Sequence, residues 1–186
     1  MVLLTLGILL FAFVHFIPSL APALKTNALT RLGEGGYKGI FSLLLLGSFG
    51  LIIFGWRSVE PSAVYLPPPG LHKVALGLLA LAFLLMAVSA RNSRLKLLIR
   101  HPQLTGVALW GFSHLLLNGD NRSIVLFGGM LVWAVIEIFA INRREGVWIK
   151  TAPPSWGAEV VTLVIAAVTI AVVVYIHPWI SGMPVW

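Results

Sequence analysis

The sequence predicts an all-α fold, a polytopic integral membrane bundle of six transmembrane helices. Three observations predict it. Hydrophobic residues make up 59% of the 186-residue chain and charged residues 10%, against about 25% charged in a soluble domain, so the chain cannot cover its own surface in water. The apolar residues fall into runs near the ~18 to 20 needed to cross a bilayer. The charges lie in short segments between those runs, the pattern of a topology signal. That placement sets nucleic acid aside as a partner for the net charge of +7; the partner it implies is the lipid bilayer. There is no cysteine, which excludes disulfides, thiolate ligands, Cys-based catalysis and iron–sulfur clusters.

The elements follow in order within a single domain, 1-186. The first helix is expected at about 2-24. It has no basic residue before its apolar core, so it reads as an uncleaved span, and Pro18 can kink it just after His15. Lys25 to Lys38 reads as a loop because Gly33, Gly35 and Gly36 loosen it. The second helix, about 39-56, ends on Trp56 at the interface. Pro61 and Pro67-Pro68-Pro69 force a loop before the third, about 71-90. A basic segment with Arg91, Arg94, Lys96 and Arg100 leads into the fourth, about 102-118, with Pro102 suited to a first helical turn. Asn118-Gly119-Asp120-Asn121 makes a tight turn, with Asp120 as its cap, and pairs the fourth helix with a fifth at about 123-141. Gly128-Gly129 there permits close packing. Ser155 is a candidate N-cap for the sixth, about 156-176.

Six spans put ten basic residues on one side (Lys25, Arg31, Lys38, Arg91, Arg94, Lys96, Arg100, Arg143, Arg144 and Lys150) and three on the other (Arg57, Lys73 and Arg122). The positive-inside rule then places the N and C termini on the periplasmic side.

This topology gives each histidine a depth. Counting from Lys25, His15 lies roughly 15 Å from the basic edge, and counting from Pro102, His114 lies roughly 18 Å from it. Two imidazoles on different helices thus fall at one level near the middle of the core. Ionisable groups there are costly and usually functional. They suit the two axial positions of a haem iron, or they are hydrogen-bonded interhelical residues. Gly111 and Ala12, one turn from each histidine, leave room for a flat macrocycle or serve plain helix packing. His72 and His177 read as interfacial residues rather than ligands, and His101, in the basic rim, reads as an interfacial residue or as one with a role of its own. Glu137 reads as a partner of Arg143 or Arg144, or else as a proton relay or iron ligand. Arg31, Lys38, Arg100 and Arg143 are placed to neutralise the carboxylates of a cofactor.

These residues resemble the NnrU family. The resemblance rests on His101-Pro102-Gln103, Leu104, Gly106, Leu109-Trp110, His114-Leu115-Leu116 and Asn118-Gly119-Asp120, and on His15 followed by Pro18-Ser19. It extends over the chain in length and spacing. It implies a multi-pass protein of the bacterial cytoplasmic (inner) membrane, linked to denitrification and nitric oxide metabolism. The family is similar to the plant and cyanobacterial 15-cis-zeta-carotene isomerase, a membrane haem b enzyme whose two ligating histidines match His15 and His114. The resemblance therefore implies haem b iron with axial ligands His15 and His114, in surroundings that include Trp110, Gly111 and Arg100. One departure stands out: the isomerase has a cysteine where this chain has Gly111, so a ligand switch has no counterpart here.

Three functions follow as expectations. The first is a haem protein of nitrogen-oxide metabolism that takes an electron donor or a small gas ligand. The second is a haem-dependent cis–trans isomerase of an apolar polyene. The third is a non-catalytic membrane assembly protein. Whether the chain is an enzyme is left open by the sequence.

Overall fold

A computed structural model of the chain describes residues 1–182. It is helical as expected, and long helices account for most of the described residues. We label them α1 (Val2–Leu20), α2 (Pro22–Arg57), α3 (His72–Ser89), α4 (Pro102–Leu117), α5 (Asn121–Glu145) and α6 (Trp156–Ser181). All but α4 are long and apolar enough to cross a membrane. At 16 residues, α4 spans about 24 Å and falls short of that length.

The expected loop at Lys25–Lys38 is instead helix on both sides of a single break. Only Gly33 leaves helical geometry, at φ 69° and ψ 173°, a backbone conformation that glycine alone adopts freely. Gly35 and Gly36 stay helical, and the i,i+4 pair Glu34–Lys38 at 2.6 Å bridges the first turn after the break. The real corner comes earlier. A residue before proline is driven out of the α region, so Ala21 sits at φ −130° and ψ 59°, and Pro22 opens α2 where its missing N–H costs nothing. Helix α1 therefore ends at Leu20, four residues before the expected boundary.

Other boundaries fall where the local chemistry placed them. Pro102 opens α4. Asp120 caps α5, its Oδ1 accepting from the backbone N–H groups of Arg122 and Ser123. Ser155 caps α6, its Oγ accepting from Ala158 N–H. A π turn, Ile124–Gly128, lies in the first half of α5.

Helix α5 is central. It packs against α1 on one side and α4 on another; α2 covers α1, α3 covers α4, and α6 lies on α3. Glycines set how closely these helices meet, as in membrane packing generally. A Cβ on Gly7 of α1 would lie 2.8 Å from Ile52 N of α2, and one on Gly106 of α4 would lie 2.7 Å from the Ala82 carbonyl of α3. A Cβ on Gly129 of α5 would meet the Ile8 side chain at 2.9 Å. Near Lys25 and Arg100, at the basic end, Glu159 of α6 accepts from Ser93 Oγ (3.0 Å) and Arg94 N (2.6 Å), which ties the α3–α4 segment to α6.

Candidate functional site: two histidines against the central helix

Both candidate ligands use the same local device. His15 Nδ1 is 2.9 Å from the Phe11 carbonyl, and His114 Nδ1 is 2.8 Å from the Trp110 carbonyl, each one turn back along its own helix. A ring that donates from Nδ1 keeps its lone pair on Nε2, the nitrogen left for a metal, and is held in orientation by that bond. Neither Nε2 has a hydrogen-bond partner among the described residues.

The walls are aromatic. The His15 ring lies 4.2 Å from Phe11, 5.0 Å from Trp133 and 5.6 Å from Phe41, centroid to centroid. His114 stacks on Phe127 at 4.2 Å and 17°, with Trp110 at 5.0 Å. Trp133 and Phe127 both belong to α5, so the central helix carries both histidine environments. Between them Phe11, Trp133 and Ala134 form a buried cluster that Ala12 and Phe16 of α1 and Leu104, Val107 and Ala108 of α4 pack against.

The two histidines do not start from one level. Ile8 meets Gly129 and Ser19 meets Glu137, so α1 runs along α5 in the same direction. Gly111 meets Phe127 and Leu131 while His101 bonds Asn142, so α4 runs the opposite way. His15 is level with Trp133 and His114 with Phe127, six residues apart in sequence, or about 9 Å of helical rise. The expected coincidence in depth counted from Lys25, but the chain turns at Ala21–Pro22. His15 therefore lies five residues from the end of α1, near the basic end, and His114 lies three from the end of α4, at the opposite one.

Does this donor set fit a haem? Among the described residues no group of three or more His, Asp or Glu could hold a metal ion unaided. Two neutral imidazoles are the number a six-coordinate haem takes, because the porphyrin supplies the other four nitrogens. Beside His15, Trp133 Nε1 is buried without a partner among the described residues. In number and donor chemistry, the two imidazoles are what such a group would take.

The family model of the NnrU protein matches residues 3–185, nearly the whole chain. The chain belongs to the NnrU family. No curated protein and no solved structure matches it.

The remaining candidates of this NnrU-family chain are placed as follows. Gly111 is buried, and a Cβ there would lie 2.7 Å from the Phe127 carbonyl, so its small size serves the contact between α4 and α5. Trp110 packs edge-on to Phe127 at 4.9 Å and helps fix the ring beneath His114. Arg100 is engaged: its guanidinium donates to the Gly146 carbonyl (2.8 Å) and pairs with Glu145 (3.3 Å). Glu137 is not the ion-pair partner of Arg143 or Arg144. It is buried and accepts from Ser19 Oγ at 2.9 Å, while Arg144 donates to the Pro18 carbonyl and to Glu145. Helical phase explains this: Glu137 is one turn from Trp133 on the face that meets α1. His101 bonds the Asn142 side chain at the basic end, and His72 is exposed. His177 lies near Ser181 and within electrostatic range of His114.

Sequence reasoning missed the strap over the opposite end. Val64 N and Tyr65 N donate to the Gly119 carbonyl, and Asn121 N donates to that of Ser62. The Tyr65 hydroxyl bonds the carbonyls of Leu115 and Asn118. Arg122 adds an ion pair to Asp120 and lies over the Trp56 ring. The Gly119-Asp120 turn gave one half of this contact, but nothing in the order of residues 58–71 pointed to the other. Tyr37 and Trp133 were missed as well, since an aromatic residue in an apolar run carries no positional signal.

Proposed function

We propose that this NnrU-family protein is a haem b-binding membrane protein with His15 of α1 and His114 of α4 as axial ligands. We place it in a bacterial inner membrane, with both termini periplasmic and a role in nitrogen-oxide metabolism. The observation that carries the proposal is the matched pair of Nδ1-to-carbonyl bonds, which presents two Nε2 lone pairs from helices on either side of α5. When bound, the haem would supply one-electron chemistry, and a coordination position for a small gas only once one of the two histidines has left it. The chain's own residues hold and orient. Phe11 and Trp110 fix the imidazoles through their carbonyls, and Phe127, Trp133 and Phe41 exclude water around them. The isomerase reading has less support, because Gly111 offers no ligand atom and its place is filled by α5.

The test is the absorption spectrum of detergent-purified protein, oxidised and reduced, for the native chain, His15→Ala and His114→Ala. Sharp α and β bands in the reduced native protein, weakened in both variants, are expected. A native protein that stays colourless after expression with ample haem refutes the proposal.

A further inference from the structure

A cleft of about 400 Å³ opens between the end of α1 and the first turns of α2 beyond Gly33, lined by Pro18, Lys25, Tyr37, Lys38, Phe41 and Ser42. Its lining combines two chemistries. The Phe41 ring also touches His15, and Pro18 lies one turn beyond His15 on α1. Lys25 and Lys38 bring two basic side chains, and Tyr37 brings a hydroxyl whose oxygen is buried with no hydrogen-bond partner among the described residues. An orphaned buried hydroxyl is costly, and it shares this cleft with Lys25, which has no ion pair among the described residues. Lys38 pairs with Glu34, but both are about three-quarters exposed, and such a pair contributes little. A ligand anion can take the place of Glu34. Two of the arginines at this end are committed elsewhere, Arg100 to Gly146 and Glu145 and Arg144 to Pro18 and Glu145.

We infer that this cleft binds the carboxylates of the flat apolar cofactor held at His15, with Lys25 and Lys38 supplying charge and Tyr37 Oη supplying a hydrogen bond. This rests on the haem reading for the ligand's identity, and it moves the anion-binding role expected of Arg100 to the α1–α2 corner. The corner exists because the chain breaks at Ala21 and again at Gly33, which brings Lys25 back beside Lys38 although thirteen residues separate them.

The experiment uses metal-free protoporphyrin IX and its dimethyl ester, which form no axial bond, so the cleft is measured apart from histidine ligation. Binding to the full chain in phosphatidylcholine vesicles is followed by quenching of tryptophan fluorescence. The native chain is expected to prefer the diacid over the ester by about tenfold or more, equivalent to about 1.4 kcal/mol. The Lys25→Ala/Lys38→Ala double variant should lose that preference, Tyr37→Phe should lose part of it, and His15→Ala should keep it. Equal binding of acid and ester by the native chain overturns the inference, as does a preference that survives in the double variant. If phosphatidylglycerol added to the vesicles abolishes the preference, the cleft is a lipid-phosphate site and the inference is likewise overturned. A retained preference in a protein that shows no haem spectrum would refute the axial-ligand proposal and leave the carboxylate site standing.

Discussion

Breaking the bond between Ser19 and Glu137 tests how α1 is fixed on α5. Glu137 is 6% exposed, and its Oε2 lies 2.9 Å from Ser19 Oγ, which is itself 3.2 Å from the Phe16 carbonyl. One hydroxyl proton cannot fully serve both acceptors. If Glu137 is the neutral acid, its O–H donates to Ser19 and Ser19 donates to Phe16, so every proton has an acceptor. If it is the carboxylate, a buried charge has one neutral donor and no ion pair within 4 Å among the described residues. The two cases differ in magnitude. Neutral side-chain bonds between membrane helices average about 0.6 kcal/mol and reach about 1.7, whereas bonds to charged groups are worth about 1.5–3. We therefore expect Ser19→Ala to cost about 1 kcal/mol and a Ser19→Ala/Glu137→Leu cycle, in which each change removes the bond, to give a coupling near 1 kcal/mol. The assay is reversible unfolding in mixed detergent–lipid micelles. A coupling indistinguishable from zero would show that the bond does not hold the helices, and one approaching 3 kcal/mol would show an ionised Glu137 and refute the proton accounting.

Three further outcomes can be checked on the same preparation. Gly111→Ala puts a methyl group 2.7 Å from the Phe127 carbonyl and 3.2 Å from Leu131 Cβ; a backbone atom cannot step aside cheaply, so a loss of about 1–3 kcal/mol is expected, read as a lower unfolding midpoint. Asp120→Ala removes the acceptor for Arg122 N, Ser123 N and Ser123 Oγ and should cost about 1–2 kcal/mol, while Asp120→Asn should cost much less. Burial, and secondarily the charge of Asp120, raises the Tyr65 phenol above its ordinary value of 10.0. Above that pH the folded chain holds a proton that the unfolded chain releases, so stability should fall as pH rises past about 10. In Tyr65→Phe this component of the alkaline loss should vanish from the pH dependence of unfolding.

How much was legible beforehand follows from the range of the forces involved. Pro102, Asp120 and Ser155 act within one turn, and each boundary they mark fell where the sequence put it. Gly33 acts locally too, but Gly33, Gly35 and Gly36 look alike in sequence, and which of them turns to positive φ depends on the packing of the whole chain. The end of α1 was misjudged because Lys25 was counted as the membrane edge when Ala21-Pro22 makes the corner, and that shift carried into the depth of His15. Glu137 was assigned to arginines close in sequence, whereas its partner came from another helix in phase with it. The histidine pair itself was legible because an ionisable side chain in an apolar run is conspicuous wherever its helix packs. Tyr37 and the Tyr65 strap were not, because their meaning lies in groups many residues away.

The π turn of α5 gives the sharpest remaining test of whether the His114 environment is built for a purpose. A π turn inserts a residue into an α-helix and often marks a functional site. Here it sets the phase of Phe127, which stacks on His114 and meets the edges of Trp110 and Trp56. Gly128, at the end of that turn, has open space where a side chain would go, so deleting it removes no packing of its own. The deletion would let the turn relax to a regular α-helix and change the phase of Phe127 relative to Trp133 and Glu137. If Phe127 positions His114, the variant should still fold with Ser19–Glu137 intact yet release haem faster through loss of the His114 ligand. If the turn is only a packing accommodation, haem retention should match that of the native chain, and the case for a purpose-built outer histidine fails even if His15 still binds iron.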